Sequence, residues 1–582
     1  GEGTSDDTAA EPYHAEPAAD AGTEGPWAMR SIGFTGWHPV ERLRGTRGAT
    51  ATTPEFATLP RVALATTTPN ADTRSLDRVD LAILATVCLL TLAHASWFDH
   101  TADDAFISFR YVRNWVEGHG LVFNPGERVM GYSNFLWVVL LYPFALVGIP
   151  VPTAARILGA LLAFGTLTRV YWYARSELGQ RLPAIAAVLA LASSGSFALW
   201  IFGGLESQLL AFLLTLGVTG ALQCTDETAR DRFVWLGVVF GLASITHPEP
   251  IAYVAPTAAW LWLRKRDRTR FVDVVVFGAV AASFPVALSL AAWLYYGDPL
   301  PNTYYAKAIP LTEELLARGL RMTRKLIVDY RWVPVGIVVA WLIATRGSLR
   351  ARGWLPIAII ATFTAFFLSI GGDMLQYHRM WVPVLPMFAL LLAEAIGQVR
   401  RPALGLALTA VVVALTLPNS FEGRNIESLR KGDEFIEGAH LVGRRLAQLP
   451  EDTVVAANNV GVIGYESEVH IIDMMGLTDA HIARAPGKVV GIAGHESHDG
   501  AYVLDQKPEI IILGMPRVVT DPNPAWDFGR PGYPSDTDIR RDPRFTEAYE
   551  MRYLAVAEDL WAPLLVRRDL HLEGSSRPPA AR

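Results

Sequence analysis

Cysteine is almost missing from this chain: Cys88 and Cys224 are the only two in 582 residues, one inside an apolar run and one at the end of another. No disulfide and no cysteine-built metal site is expected. A large charge of either sign is lacking too. Lys and Arg total 51 and Asp and Glu 57, which leaves −6. That is too little to select a partner by charge, and no nucleic-acid partner is expected. The chain also lacks an early apolar segment. Its first one begins near residue 79, too late for a cleavable signal peptide. No internal repeat is evident.

What is present is apolar. Hydrophobic residues make up 51% of the chain and the mean hydropathy is +0.25. They gather in runs long enough to cross a hydrocarbon core of roughly 30 Å as helices. Residues 1–74, rich in Ala, Gly, Pro and Thr, are expected to be a disordered cytoplasmic tail. Eleven spans are predicted, at 79–98, 155–174, 183–201, 207–223, 233–247, 250–263, 271–296, 331–345, 354–370, 381–397 and 403–418. The run 135–150 is broken by Pro143, Gly148 and Pro150 and reads as a surface or re-entrant helix. This choice is fixed by charge. With the N-terminus inside, every inside connection carries arginine, including Arg175 and Arg181, Arg230 and Arg232, Arg264 to Arg270, and Arg400 and Arg401.

The same arrangement puts the polar loops on the other face. They are 99–134, within a first outer loop of 99–154; Gly203–Ser207; His247–Pro250; 297–330; and Gly371–Arg379. After 419 the pattern changes. An amphipathic stretch at 433–448 precedes strand-like runs at 454–457, 469–473 and 509–513, so 419–582 reads as a soluble α/β domain outside the membrane. Gly461 and Gly464 give only a weak hint of a nucleotide loop. Trp526, Tyr533 and Tyr549 are candidates for stacking on sugars and equally for a core.

The chemistry-bearing residues sit in the outer loops. Asp103 and Asp104 are adjacent, at the start of a helical stretch, where one is a helix cap or the pair supplies a base or nucleophile. Arg110 and Arg113 share a helical face and pair with carboxylates or meet an anionic headgroup. Glu206 follows two glycines and is a cap or a site residue. His247 and Glu249 permit a metal, and a divalent cation is compatible with them, but two ligands are no signature. Tyr304 and Lys307 form a polar aromatic loop, with Lys307 suited to a phosphate. Asp373, His378 and Arg379 form an acid, base and cation set in which Arg379 suits a phosphate or pairs with Asp373. Carboxylates, cationic phosphate binders and aromatic platforms at an outer membrane surface fit sugar transfer from a polyprenyl phosphate.

The stretches Asp103–Tyr111, Gly118–Glu127 and Gly131–Trp137, supported by Gly204-Leu205-Glu206, resemble the GT-C glycosyltransferases and, among them, the mycobacterial terminal β-(1→2)-arabinofuranosyltransferases. The resemblance implies a polytopic α-helical body of GT-C fold at 75–418, in a bacterial plasma membrane. It also implies that the active site and the C-terminal domain are periplasmic. It implies decaprenyl-phospho-arabinofuranose as donor and the arabinan ends of arabinogalactan and lipoarabinomannan as acceptor. Asp103 or Asp104 would match the family's catalytic aspartate, with Asp103 preferred. Donor and product would share one anomeric configuration, which a single base does not deliver. A mannosyl donor on the same fold, a glycolipid transporter and a wall-binding protein are the other readings. The transporter lacks its expected midplane charges.

Overall fold

The computed structural model describes residues 76–264, 267–330, 347–486, 488, 490, 493–521 and 532–577. The expectations for the tail at 1–74, the span at 331–345 and Trp526 lie outside them. Six helices are long and apolar enough to cross a membrane: Arg78–Phe98, Val151–Leu178, Arg268–Tyr296, Arg352–Ser369, Gln376–Gly397 and Pro402–Phe421. A seventh crossing forms if Arg181–Ala192 and Gly195–Phe202, bent by 61°, make one broken span. Ser207–Leu222, Arg230–Thr246 and Val254–Arg264 are helices of 16, 17 and 11 residues. Every predicted span inside the described residues is therefore helical, although several are shorter than a straight crossing requires. The interrupted run folds as Phe135–Leu146, a 12-residue helix with Pro143 inside it.

The outward faces explain the environment. Leu89, Leu161, Val286, Leu294 and Leu406 are all more than half exposed. Apolar surface repeated along several helices is costly in water and suits hydrocarbon. The body is that of a membrane protein.

Beyond a short turn at Leu417–Phe421 the chain enters a 24-residue helix, Gly423–Leu446, and then a six-stranded mixed sheet. Its strands are β1 (Val454–Ala457), β2 (His470–Asp473), β3 (Ile510–Ile512), β4 (Tyr549–Ala557), β5 (Leu560–Arg567) and β6 (Ser575–Ser576). Their order is β2-β1-β3-β5-β4-β6. β1 lies parallel to β2 and to β3, and the last three strands add antiparallel. Ile471, Ile510 and Val566 are fully or almost fully buried in the core that this sheet shares with the helices packed on it.

The segment that follows the first helix docks this domain. The helix Asp103–Val116 lies against the helix Gly461–Ser467. Two glycines make the approach feasible. A Cβ on Gly461 would lie 1.9 Å from the backbone oxygen of Asp103, and one on Gly464 would lie 2.7 Å from the Arg110 guanidinium. The hint of a nucleotide loop is thereby corrected, because the space beside these glycines is filled by protein. Asn124 binds the β2 backbone in both directions, donating to the Ile471 carbonyl at 2.9 Å and accepting from the Ile471 N–H at 3.1 Å.

Gly461→Ala therefore has a sign opposite to helix propensity. An exposed Gly→Ala in a helix stabilises by about 0.5–1 kcal/mol, whereas overpacking here should cost about 1–3 kcal/mol. The thermal midpoint in detergent should fall for Gly461→Ala. It should not fall for Gly423→Ala, where an added Cβ meets nothing within 4 Å.

Candidate active site

A cavity of about 800 Å³ lies between the membrane helices and the C-terminal domain. Its membrane-side wall carries Asp103, Asp104, Lys307, Asp373 and Arg379. Its other wall is built from the segments after the three parallel strands: Asn458–Val460 after β1, Met475 and Leu477 after β2, and Met515–Val519 after β3. In an open sheet with parallel strands, the crevice beyond the carboxyl ends at a switch in strand order is where ligands bind. β1 is such a switch, with β2 on one side and β3 on the other.

The two aspartates occupy the first turn of their helix, but neither caps it. The N-cap is Ala102, without a side-chain hydrogen bond. The pair is divided by its partners. Asp103 accepts hydrogen bonds from the N–H groups of Gly461 at 3.2 Å and Val462 at 2.9 Å. Burial pushes its carboxyl up to about 7, and the neighbouring Asp104 adds to this, against the opposing pull of those two N–H donors. Asp104 lines the cavity and makes no hydrogen bond or ion pair to another described residue.

Arg379 is held by two carboxylates, with Asp373 at 3.5 Å and Glu206 at 3.8 Å. Glu206 is the N-cap residue of Ser207–Leu222, but its side chain caps nothing. Its other oxygen accepts from Asn134 at 2.8 Å, and Asn134 in turn accepts from Ser108 at 3.1 Å. One chain of contacts thus ties the acidic-pair helix to Arg379. His247 and Glu249 bind each other behind Arg379 and do not line the cavity. Lys307 is exposed and has no carboxylate partner among the described residues.

Other predicted residues also lie off the cavity lining. Arg110 does not line the cavity and serves the docking seam: its guanidinium donates to the carbonyls of Val469 at 2.8 Å and Glu468 at 3.4 Å and stacks 4.4 Å over Phe123. His378 pairs with Asp329 at 2.9 Å, away from the cavity lining. Tyr304 is 54% exposed and faces Tyr305 edge-on. Arg113 meets Glu468 at 3.0 Å and the Tyr465 carbonyl. Tyr549 is core, its hydroxyl donating to the Pro508 carbonyl at 2.8 Å, while Tyr533 is buried and lines the cavity. Among the described residues, no three His, Cys, Asp or Glu side chains are grouped so as to hold a metal ion. Sequence reasoning missed His495 and Asn459, which also line the cavity, and did not single out Gln376 within the Gly371–Arg379 loop. His495 and Asn459 had no local motif to mark them.

The chain is similar to proteins named terminal β-(1→2)-arabinofuranosyltransferase. With that of Mycobacterium tuberculosis it shares 31% identity over 248 residues, 40% of this chain and 38% of that protein. With that of Corynebacterium glutamicum it shares 26% over 348 residues, 51% of this chain and 48% of that protein. The matches thus span less than half the length of either relative. A domain of unknown function, DUF8728, matches residues 429–560. Among solved structures, ArnT from Cupriavidus metallidurans in the apo state aligns with a TM-score of 0.48 at 14% identity, over 68% of this chain and 85% of that one.

Asp103 gives this site a pH signature. Its carboxyl in the fold stays protonated to about pH 7, whereas in the unfolded chain it ionises near the ordinary value of about 4. The folded state then binds more protons in that window, so its contribution to stability falls as pH rises from about 4 through 7. Asp103→Asn removes this term. The stability difference between wild type and variant, from denaturant unfolding, should shift in disfavour of wild type between pH 5 and 8. A difference constant with pH contradicts the assignment.

Proposed function

We propose that this protein is a membrane glycosyltransferase of GT-C type. It transfers an arabinofuranosyl residue from decaprenyl-phospho-arabinofuranose to the ends of cell-wall arabinan, forming terminal β-(1→2) linkages. The observation that carries the reading is the cavity itself. A free carboxylate, Asp104, shares one cavity with the cations Arg379 and Lys307, between apolar helices and the strand ends of the C-terminal domain. The names of the two relatives support the arabinofuranosyl group and the β-(1→2) linkage.

The parts divide by chemistry. A prenyl phosphate brings a long apolar tail and an anionic head. The helices suit the tail. Arg379, already oriented by Asp373 and Glu206, and the unpaired Lys307 suit the head. Its departure as a phosphate monoester needs charge stabilisation more than a proton. Asp104 faces the reacting sugar, as the base for an acceptor hydroxyl or as the nucleophile at the sugar carbon. Asp103 acts on Asp104 by fixing their common turn against Gly461 and Val462. In this reading the cavity opens on the periplasmic side, in keeping with arginine at every predicted inside connection. The C-terminal domain at 419–582 contributes a wall for the glycan.

Purified protein given labelled decaprenyl-phospho-arabinofuranose and a short arabinan should form a β-(1→2) product, identified by NMR. Turnover only with a mannosyl donor would remove the arabinose assignment. Asp104→Asn should lower kcat by about 10³-fold, within the range for loss of a positioned acid–base group, while donor binding stays near wild type. Near-full activity in Asp104→Asn would contradict its role.

A further inference from the structure

The wall opposite Asp104 carries a second group able to accept a proton. His495 belongs to the C-terminal domain and lines the same cavity as Asp103, Asp104, Lys307 and Tyr533. Its Nδ1 lies 3.1 Å from the Ala493 carbonyl. A carbonyl only accepts, so that nitrogen carries the proton and Nε2 is left with an open lone pair. Nε2 makes no hydrogen bond to another described residue and is not sealed from the cavity. The ring leans on Tyr533, with centroids 5.4 Å apart. The Tyr533 hydroxyl is held by Asn459 at 3.4 Å, at the end of β1. The next residue, Glu496, is buried and bound to Arg318 at 3.0 Å, and Arg318 also donates to the Gly371 carbonyl at 3.0 Å. The segment holding His495 is thus pinned to the loop that carries Asp373.

We propose that His495 is the acceptor-side base, its Nε2 receiving the proton of the glycan hydroxyl that is glycosylated. The inference rests on the transferase reading and deepens it. Retention takes two displacements. An Asp104 oxygen first bonds to the sugar carbon as the bond to the donor phosphate breaks, its electron pair staying on the phosphate oxygen. The hydroxyl oxygen then bonds to that carbon as the bond to Asp104 breaks, its electron pair returning to the carboxylate, and the hydroxyl proton passes to Nε2. Burial lowers the pKa of the imidazole, so it is neutral before the reaction. The charge on Asp104 favours the imidazolium that forms, as does Glu496, while Lys307 opposes it. The two proton-accepting groups thus come from two parts of the chain, and only the docked arrangement brings them into one cavity.

Two variants separate the possibilities. His495→Gln keeps a hydrogen-bonding side chain that cannot take a proton, and His495→Ala removes both functions. With labelled prenyl-phospho-arabinose and a short arabinan, both should lose about 10²-fold or more in kcat, with donor binding unchanged. Wild-type transfer together with a full rate in His495→Gln overturns the base assignment and leaves the transferase reading standing. Transfer by wild type from no prenyl-phosphate sugar defeats the transferase reading and the base assignment together. Direct titration of the arabinan into full-length protein then tests the contact that remains. Binding weakened about tenfold in His495→Ala, the scale of one lost hydrogen bond, keeps His495 as a ligand of a glycan hydroxyl, and equal binding overturns that as well.

Discussion

The contact on which the site depends is the seat of Asp103 on the backbone of Gly461 and Val462. A carboxyl group that is desolvated beside another carboxylate is costly unless donors meet it. Two N–H groups do so, at 3.2 and 2.9 Å. They belong to a helix that comes this close only because residue 461 has no side chain. The result is a fixed first turn in which Asp103 faces the C-terminal domain and Asp104 is left to the cavity. Arg110, Arg113 and Asn124 extend the same seam along the Glu468–Ile471 backbone and Tyr465. The segment after the first helix is thus the joint between the two halves as well as the bearer of the acidic pair.

Behind the cavity the charges are arranged so that none is stranded. Arg379 is nearly enclosed and lies between Asp373 and Glu206. Glu206 is buried and shared with Asn134, and His247 and Glu249 satisfy each other. A buried charge without a partner would be strongly destabilising. Such a network therefore holds its arginine in one direction, and that direction is toward the space that Asp104 also lines. Lys307 is the contrasting case, an exposed point charge whose flexible stem can follow a ligand.

Much of this was legible in the residues. Apolar runs gave helices wherever the described chain covers them, and strands expected at 454–457, 469–473 and 509–513 are β1, β2 and β3. The polar loops did converge: Asp103, Asp104, Lys307, Asp373 and Arg379 share one cavity. Long-range pairing was not legible. Arg110 looks like a phosphate ligand when only its helical neighbours are known. The carbonyls it donates to lie more than 350 residues along the chain. Glu206 carries every local mark of a helix cap, yet Asn134 and Arg379 claim it. His495 stands in no motif, since it gains meaning only when β1 and β3 bring Asn459, Tyr533 and the 493–497 segment to one edge. The antiparallel strands β4 and β5 also went unread, although Glu558 and Asp559 mark the turn between them.

A prenyl-phosphate sugar donor seated in this cavity would have its phosphate between Arg379 and Lys307 and its sugar at Asp104. The decisive measurement is an experimental structure of the full chain with decaprenyl phosphate bound. Phosphate density is expected within hydrogen-bonding distance of Arg379 and Lys307, with the prenyl chain leaving between the apolar helices. Phosphate bound elsewhere, with the cavity beside Asp104 untouched, would contradict this placement.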